Sequence, residues 1–250
     1  MKLTVLPDAG QAAKAAASRM AEQIRSKPNA VLGLATGGTM EPVYEAFLRH
    51  ETKGLDLTQI RSFNLDEYIG LPADHPQSYH RYMQEHLFDQ ISMDAGRSHI
   101  PNGLADPTLE ARRYEAALQV QGPVDLQLLG LGRNGHIGFN EPGSPFSSLT
   151  RAVDLAESTR ESNKRFFKEG NLPPERAITM GIATILRAHR IVLLAVGEAK
   201  AEAVARMVAG EVTEEMPASV LQRHAQVEVL LDPAAAQGLQ DGPIPEPLAC

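Results

Sequence analysis

The chain has a single cysteine, Cys250, so it forms no intramolecular disulfide and offers no cysteine cluster for zinc or iron–sulfur ligation; a reducing compartment fits. It has no excess of positive charge either. With 24 Lys+Arg against 31 Asp+Glu the formal net charge is −7, which argues against a general nucleic-acid or membrane-surface binder, since those carry a basic face. No apolar run approaches the roughly 18 residues that suggest a membrane span, the densest being Ile191–Val196. The first residues reach Pro7 and Asp8 before any sizeable apolar stretch, which leaves no room for the apolar region of a secretory signal. A cytoplasmic protein is expected. There is no internal repeat and no low-complexity tract, and Gly and Pro, 20 and 17 residues, stay well below the content of fibrous or disordered chains.

What is present is an average globular composition, 43% hydrophobic and 22% charged, in 250 residues. That length suits one large α/β domain, residues 1–250. Short runs rich in Leu and β-branched residues, Leu3–Leu6, Val31–Ala35, Ser62–Leu65, Leu126–Leu131, Ile191–Val196 and Val227–Leu231, read as strands apolar on both faces, as buried parallel strands are. Between them Ala13, Ala17, Met20 and Ile24 recur at helical spacing before Pro28, and Tyr44, Phe47 and Leu48 do so after Glu41-Pro42. Tyr79–Gln90, Leu109–Val120 and Ala199–Val208 are three further helical segments. The alternation predicts a modified doubly wound, Rossmann-like, mostly parallel sheet with helices on both faces. The tail after Asp232, residues 233–250, carries four prolines and reads as poorly ordered or as a surface strap.

In such sheets ligands sit beyond the carboxyl ends of the strands, and three of those edges carry chemistry. After Val31–Ala35 comes Thr36-Gly37-Gly38-Thr39, whose backbone N–H groups and hydroxyls suit a phosphate, although the same residues also make an ordinary tight turn. Phe63-Asn64-Leu65-Asp66-Glu67-Tyr68 places two carboxylates directly after a strand. A partly buried one has the chemistry of a base that moves protons between carbons, while an isolated Asp-Glu pair more often caps the next turn. The third edge, Leu129 to Gly143, has glycines at 130, 132, 135 and 138 and brings Asn134, His136 and Glu141 into one tight loop. An imidazole oriented by a carboxylate is an acid/base unit for neutral pH. Tyr79–Tyr82 and His86 read as the core and solvent faces of a helix, and nothing has the spacing of a metal site.

Thr36-Gly-Gly-Thr39, Phe63-Asn-Leu-Asp-Glu-Tyr68 and Gly135-His-Ile-Gly-Phe-Asn-Glu-Pro142, in this order, resemble the glucosamine-6-phosphate deaminase (isomerase) family over about Val31 to Leu221. The resemblance implies a cytosolic enzyme that converts glucosamine 6-phosphate and water to fructose 6-phosphate and ammonium, with a small sugar phosphate as its partner and no metal or organic cofactor. It further implies that Asp66 moves the proton between C2 and C1. His136 would open the pyranose ring with Glu141 behind it, and Asn134 sits where some members have Asp. Arg165 and Lys200 would join Thr36, Gly37, Gly38 and Thr39 around the phosphate. Members activated by N-acetylglucosamine 6-phosphate carry a basic pair where this chain has Arg151 and Val153, so strong activation is not expected. The oligomeric state, monomer or homo-oligomer, stays open.

Two other functions fit the same motifs less well. A 6-phosphogluconolactonase-like hydrolase shares the fold but typically continues differently after the loop histidine, and an ester hydrolase has no need of Asp66 as a carbon base. A non-catalytic sugar-phosphate sensor of the kind found in transcriptional regulators would need a DNA-binding module, for which the chain has no spare segment.

Overall fold

The computed structural model of the chain describes residues 1–164, 167 and 173–239, with backbone only at 158, 162 and 163. Among the described residues ten strands run β1 (Lys2–Val5), β2 (Val31–Leu34), β3 (Arg61–Asn64), β4 (Asp66–Tyr68), β5 (Ser98–His99), β6 (Leu126–Gly130), β7 (Arg151–Asp154), β8 (Arg176–Thr179), β9 (Arg190–Ala195) and β10 (Val227–Leu231). Seven form a sheet in the order β1-β10-β9-β6-β2-β3-β5, with every pairing parallel. All six expected strands lie in it, and β2, β9 and β10 are covered from both sides as their composition requires. The other three, β4-β8-β7, make a small antiparallel sheet that the sequence did not suggest.

The helices are α1 (Ala9–Ser26), α2 (Glu41–Ala46), α3 (Tyr79–Met83), α4 (Pro107–Gln121), α5 (Glu157–Lys164), α6 (Ile182–Ile185) and α7 (Ala201–Ala209). Asp8 caps α1 by accepting from the Gln11 N–H at 2.7 Å. The helix then buries Ala12, Ala13, Ala16, Ala17, Met20, Ala21 and Ile24, a stripe of small side chains that brings its axis close to the sheet. Asp106 caps α4 in the same way, with Pro107 in the first turn, where a missing N–H costs nothing. The segment expected as one helix over Tyr79–Gln90 is instead α3 followed by a wider turn, Gln84–Phe88, and a tighter one, Asp89–Ile91. Residues 233–239 fold back onto the domain: Ala235 and Ala236 are buried, and Gly238 packs on Ala201 and Ala205 of α7. Residues 240–250 lie outside the described residues.

At the opposite end from the strand C-termini, buried Glu228 of β10 ties the sheet to α1. It accepts from Arg19 Nε at 2.9 Å and Arg19 Nη2 at 3.1 Å, and from Arg190 Nη2 at 2.8 Å. These hydrogen bonds, Arg19 first, hold its carboxyl down at about 2 against the opposing effect of burial. A depressed carboxylate contributes its stability above the unfolded-state value and loses it as pH falls toward the folded one. Glu228→Gln should therefore cost about 3 kcal/mol near neutral pH, the lower end for breaking a buried pair because both guanidiniums reach solvent. The difference from wild type should vanish in urea titrations as the pH approaches 2; a constant difference across that window would show that packing, not charge, is what the substitution removes.

Candidate active site

The crevice follows from the strand order. From β2 the chain passes through α2 to β3 on one side, whereas β6, the neighbour of β2, has β9 on its other side. Connections that part at adjacent strands leave a gap above their carboxyl ends. A cleft of about 940 Å³ opens there, lined among others by Thr36, Gly37, Gly38, Thr39, Asp66, Asn134, His136 and Lys200. Residues from four separate parts of the sequence thus face one volume.

The loop 36–39 forms one wall. Gly37 has φ +97°, a conformation that glycine adopts without strain, and a side chain at 37 or 38 would point into open space. The Gly37 carbonyl accepts from the Tyr82 hydroxyl at 3.0 Å and from the Met40 N–H at 2.9 Å, which fixes the loop from behind. Across the cleft, Lys200 ends the tight turn Glu198–Lys200 before α7, and its Nζ donates to the Leu131 carbonyl at 2.6 Å. That bond ties the cation to the loop that follows β6. Arg165 lies outside the described residues.

Asp66 and Glu67 are both buried, and their roles separate. Glu67 Oε1 accepts from the N–H groups of Tyr68 and Tyr79, and Oε2 from the His80 N–H and ring Nδ1, all at 2.8–2.9 Å. It satisfies donors at the start of α3, beside the N-cap Ser78, whose hydroxyl accepts from the Arg81 N–H at 3.0 Å. Asp66 begins β4 and lines the cleft. Burial, followed by repulsion from Glu67, raises its carboxyl to about 8. Gly138, with φ +57°, comes close: a Cβ there would stand 3.0 Å from Thr179 Oγ1 and 3.5 Å from Asp66 Oδ2.

The loop 130–141 holds the imidazole. The Gly132 N–H donates to the His136 carbonyl at 2.9 Å, and the His136 N–H donates to Asn134 Oδ1 at 3.2 Å. Asn134 Nδ2 then donates to Glu141 Oε2 at 2.6 Å, and the same oxygen lies 3.4 Å from His136 Nδ1. That separation is within ion-pair reach and long for a hydrogen bond. The other oxygen, Oε1, accepts from the hydroxyl of Thr159 on α5. Burial would raise Glu141, but His136, Thr159 and Asn134 together hold it below its ordinary value. The loop is anchored underneath by Asn140, whose amide donates to the carbonyls of Ile137 at 2.9 Å and Met180 at 2.8 Å. Its Oδ1 accepts from Arg151 Nη1 at 2.8 Å.

Arg151 is therefore turned inward, with Ser144 as a second acceptor at 3.2 Å, and Val153 packs against the small apolar cluster of Tyr68, Phe139, Leu155 and Ala177. Reading Tyr79–Tyr82 as plain core and solvent faces needs correction. Tyr79 lines the cleft, His80 bonds Glu67, and Tyr82 pins Gly37. Thr159 escaped the sequence reading because Glu157–Lys164 has no apolar spacing and looks like any solvated helix. Among the described residues, no group of three or more His, Cys, Asp or Glu side chains is arranged to hold a metal, and no helix is long and apolar enough to cross a membrane.

Residues 8–230 match the family model described as glucosamine-6-phosphate isomerases/6-phosphogluconolactonase. The chain is 53% identical over 238 residues to the glucosamine-6-phosphate deaminase of Rhodopirellula baltica, covering 94% of this chain and 95% of that one. A solved structure of a monomeric glucosamine-6-phosphate deaminase superposes with a TM-score of 0.92 at 48% identity, over 95% of this chain and 100% of that one. The 6-phosphogluconolactonase of Leishmania guyanensis has a TM-score of 0.77 at 21% identity, over 95% of this chain and 98% of that one, a likeness of fold alone.

Proposed function

The chain belongs to the family of glucosamine-6-phosphate isomerases and 6-phosphogluconolactonases, and from that premise we infer that it is a glucosamine-6-phosphate deaminase, releasing ammonium and fructose 6-phosphate. One observation carries the choice within the family: a buried carboxyl raised to about 8 shares a cleft with an imidazole backed by a carboxylate. Moving a proton between adjacent carbons needs the first, and opening a sugar ring needs the second. Ester hydrolysis has no use for a base at C2.

The cleft residues support the following chemistry. The phosphate binds at Thr36–Thr39 with Lys200, and Arg165 completes the assignment. His136 takes the proton of the anomeric hydroxyl and delivers it to the ring oxygen, freeing the aldehyde. Ionised Asp66 takes the C2 proton, giving an enolamine as the aldehyde oxygen gains a proton, and returns it to C1, leaving an imine at C2. Water adds to that imine, ammonia leaves, and a ketose results. The overall change is therefore hydrolytic at carbon–nitrogen as well as isomerising. These steps call on no metal or organic cofactor.

The purified protein incubated with glucosamine 6-phosphate should release ammonium and ketose phosphate in equal amounts, and 6-phosphogluconolactone should hydrolyse at its spontaneous rate. Accelerated lactone opening without ammonium would favour the hydrolase reading. Binding of the amino sugar phosphate with neither reaction would favour a sensor.

A further inference from the structure

Glu141 does not line the cleft; it stands behind the imidazole and is reached from two directions. Asn134, which bonds Oε2, belongs to the same loop as His136 and Glu141, so that contact is local. Thr159, which bonds Oε1, does not: it comes from α5, eighteen residues further along the chain, and is itself buried in the cleft wall. We propose that Thr159 is a positioning residue for ring opening, its hydroxyl fixing the rotation of the Glu141 carboxylate so that Oε2 faces His136 Nδ1. The proposal rests on the deaminase reading and adds to it a residue that does not touch the reacting atoms.

The physical argument concerns one torsion. The last bond of a glutamate side chain has a broad, roughly two-fold rotational profile, so a single donor at one oxygen leaves the carboxylate plane poorly defined. A second donor at the other oxygen defines it. A threonine hydroxyl has one proton to give, and here Glu141 takes it. The Thr159 backbone is held in turn by its N–H donating to the Ala156 carbonyl at 3.0 Å, so the hydroxyl is presented from a fixed turn at the start of α5. Because Glu141 stays below its ordinary carboxylate value despite burial, both donors meet an anion, which strengthens each bond.

The test is a double-mutant cycle on ammonium release from glucosamine 6-phosphate, with wild type, Thr159→Val, Thr159→Ser, Glu141→Gln and the Thr159→Val/Glu141→Gln pair. Losing one charge-assisted hydrogen bond should lower kcat about tenfold in the valine variant, with KM within about twofold. Serine, which keeps the hydroxyl, should restore kcat to within about threefold. In the Glu141→Gln background the valine substitution should change kcat by less than about twofold, because the route through which it acts is already gone. The proposal fails if valine leaves kcat unchanged, if serine is as poor as valine, or if the same tenfold loss persists without Glu141. Should the valine variant not fold, Thr159→Ala carries the same comparisons. A wild-type protein that releases no ammonium overturns the deaminase reading, a separate result seen before any variant is compared.

Discussion

Asp66→Asn is expected to lower ammonium release from glucosamine 6-phosphate by roughly 10²–10⁴-fold, the usual cost of losing a positioned general base, while substrate affinity stays within a few-fold. The amide has nearly the shape of the acid, and the phosphate is proposed to bind at other residues of the cleft, the loop 36–39 and Lys200. The same substitution should make the protein more stable. A carboxyl raised in the folded state from 3.8 to about 8 keeps its proton longer than the unfolded chain does. Ionising it therefore costs stability, nothing below about pH 4 and the full amount above about 8. The thermal midpoint of the Asn variant should exceed that of wild type by a margin that widens across this window. In the wild type kcat/KM should climb with pH up to about 8, as the base becomes ionised. An Asn variant with undiminished turnover would remove Asp66 from the chemistry, and a midpoint difference that does not vary with pH would remove the strained carboxylate.

Gly132→Ala should produce the second large effect, a loss of roughly 10²-fold in kcat, and it should do so by moving a single ring. A Cβ at 132 would stand 2.4 Å from Nδ1 of His136 and 2.5 Å from two of its ring carbons, so the imidazole must swing aside. Such a swing breaks the approach to Glu141 without touching the sheet beneath. Circular dichroism and thermal midpoint should stay near those of wild type, and a structure of the variant should show the ring displaced. Full activity in this variant would mean that the imidazole tolerates a second position and that its present place is not the working one.

The large sheet was legible because its strands are buried on both faces and so announce themselves as unbroken apolar runs. The small sheet was not: β4 has three residues, too few for any period, and β7 reads Arg-Ala-Val-Asp, half-exposed. The loop 130–141 was legible because its glycines crowd polar side chains together. Which of two adjacent carboxylates caps and which faces the cleft was legible only through the family resemblance and not from the pair itself, because that depends on where the start of α3 arrives from twelve residues away. Thr159 was hidden for a related reason. A lone hydroxyl in a charged segment acquires meaning only when the fold brings a carboxylate to it.

The small antiparallel sheet joins Asp66 to the histidine loop. Thr179 at the end of its middle strand pairs on one side with Asp66 and on the other with Arg151, whose guanidinium holds the histidine loop through Asn140. One short strand therefore acts as a spacer between Asp66 and the loop that carries His136. Replacing Ala177 or Ile178, both fully buried in that strand, would therefore be felt in the cleft as well as in the core, although neither residue lines the cleft.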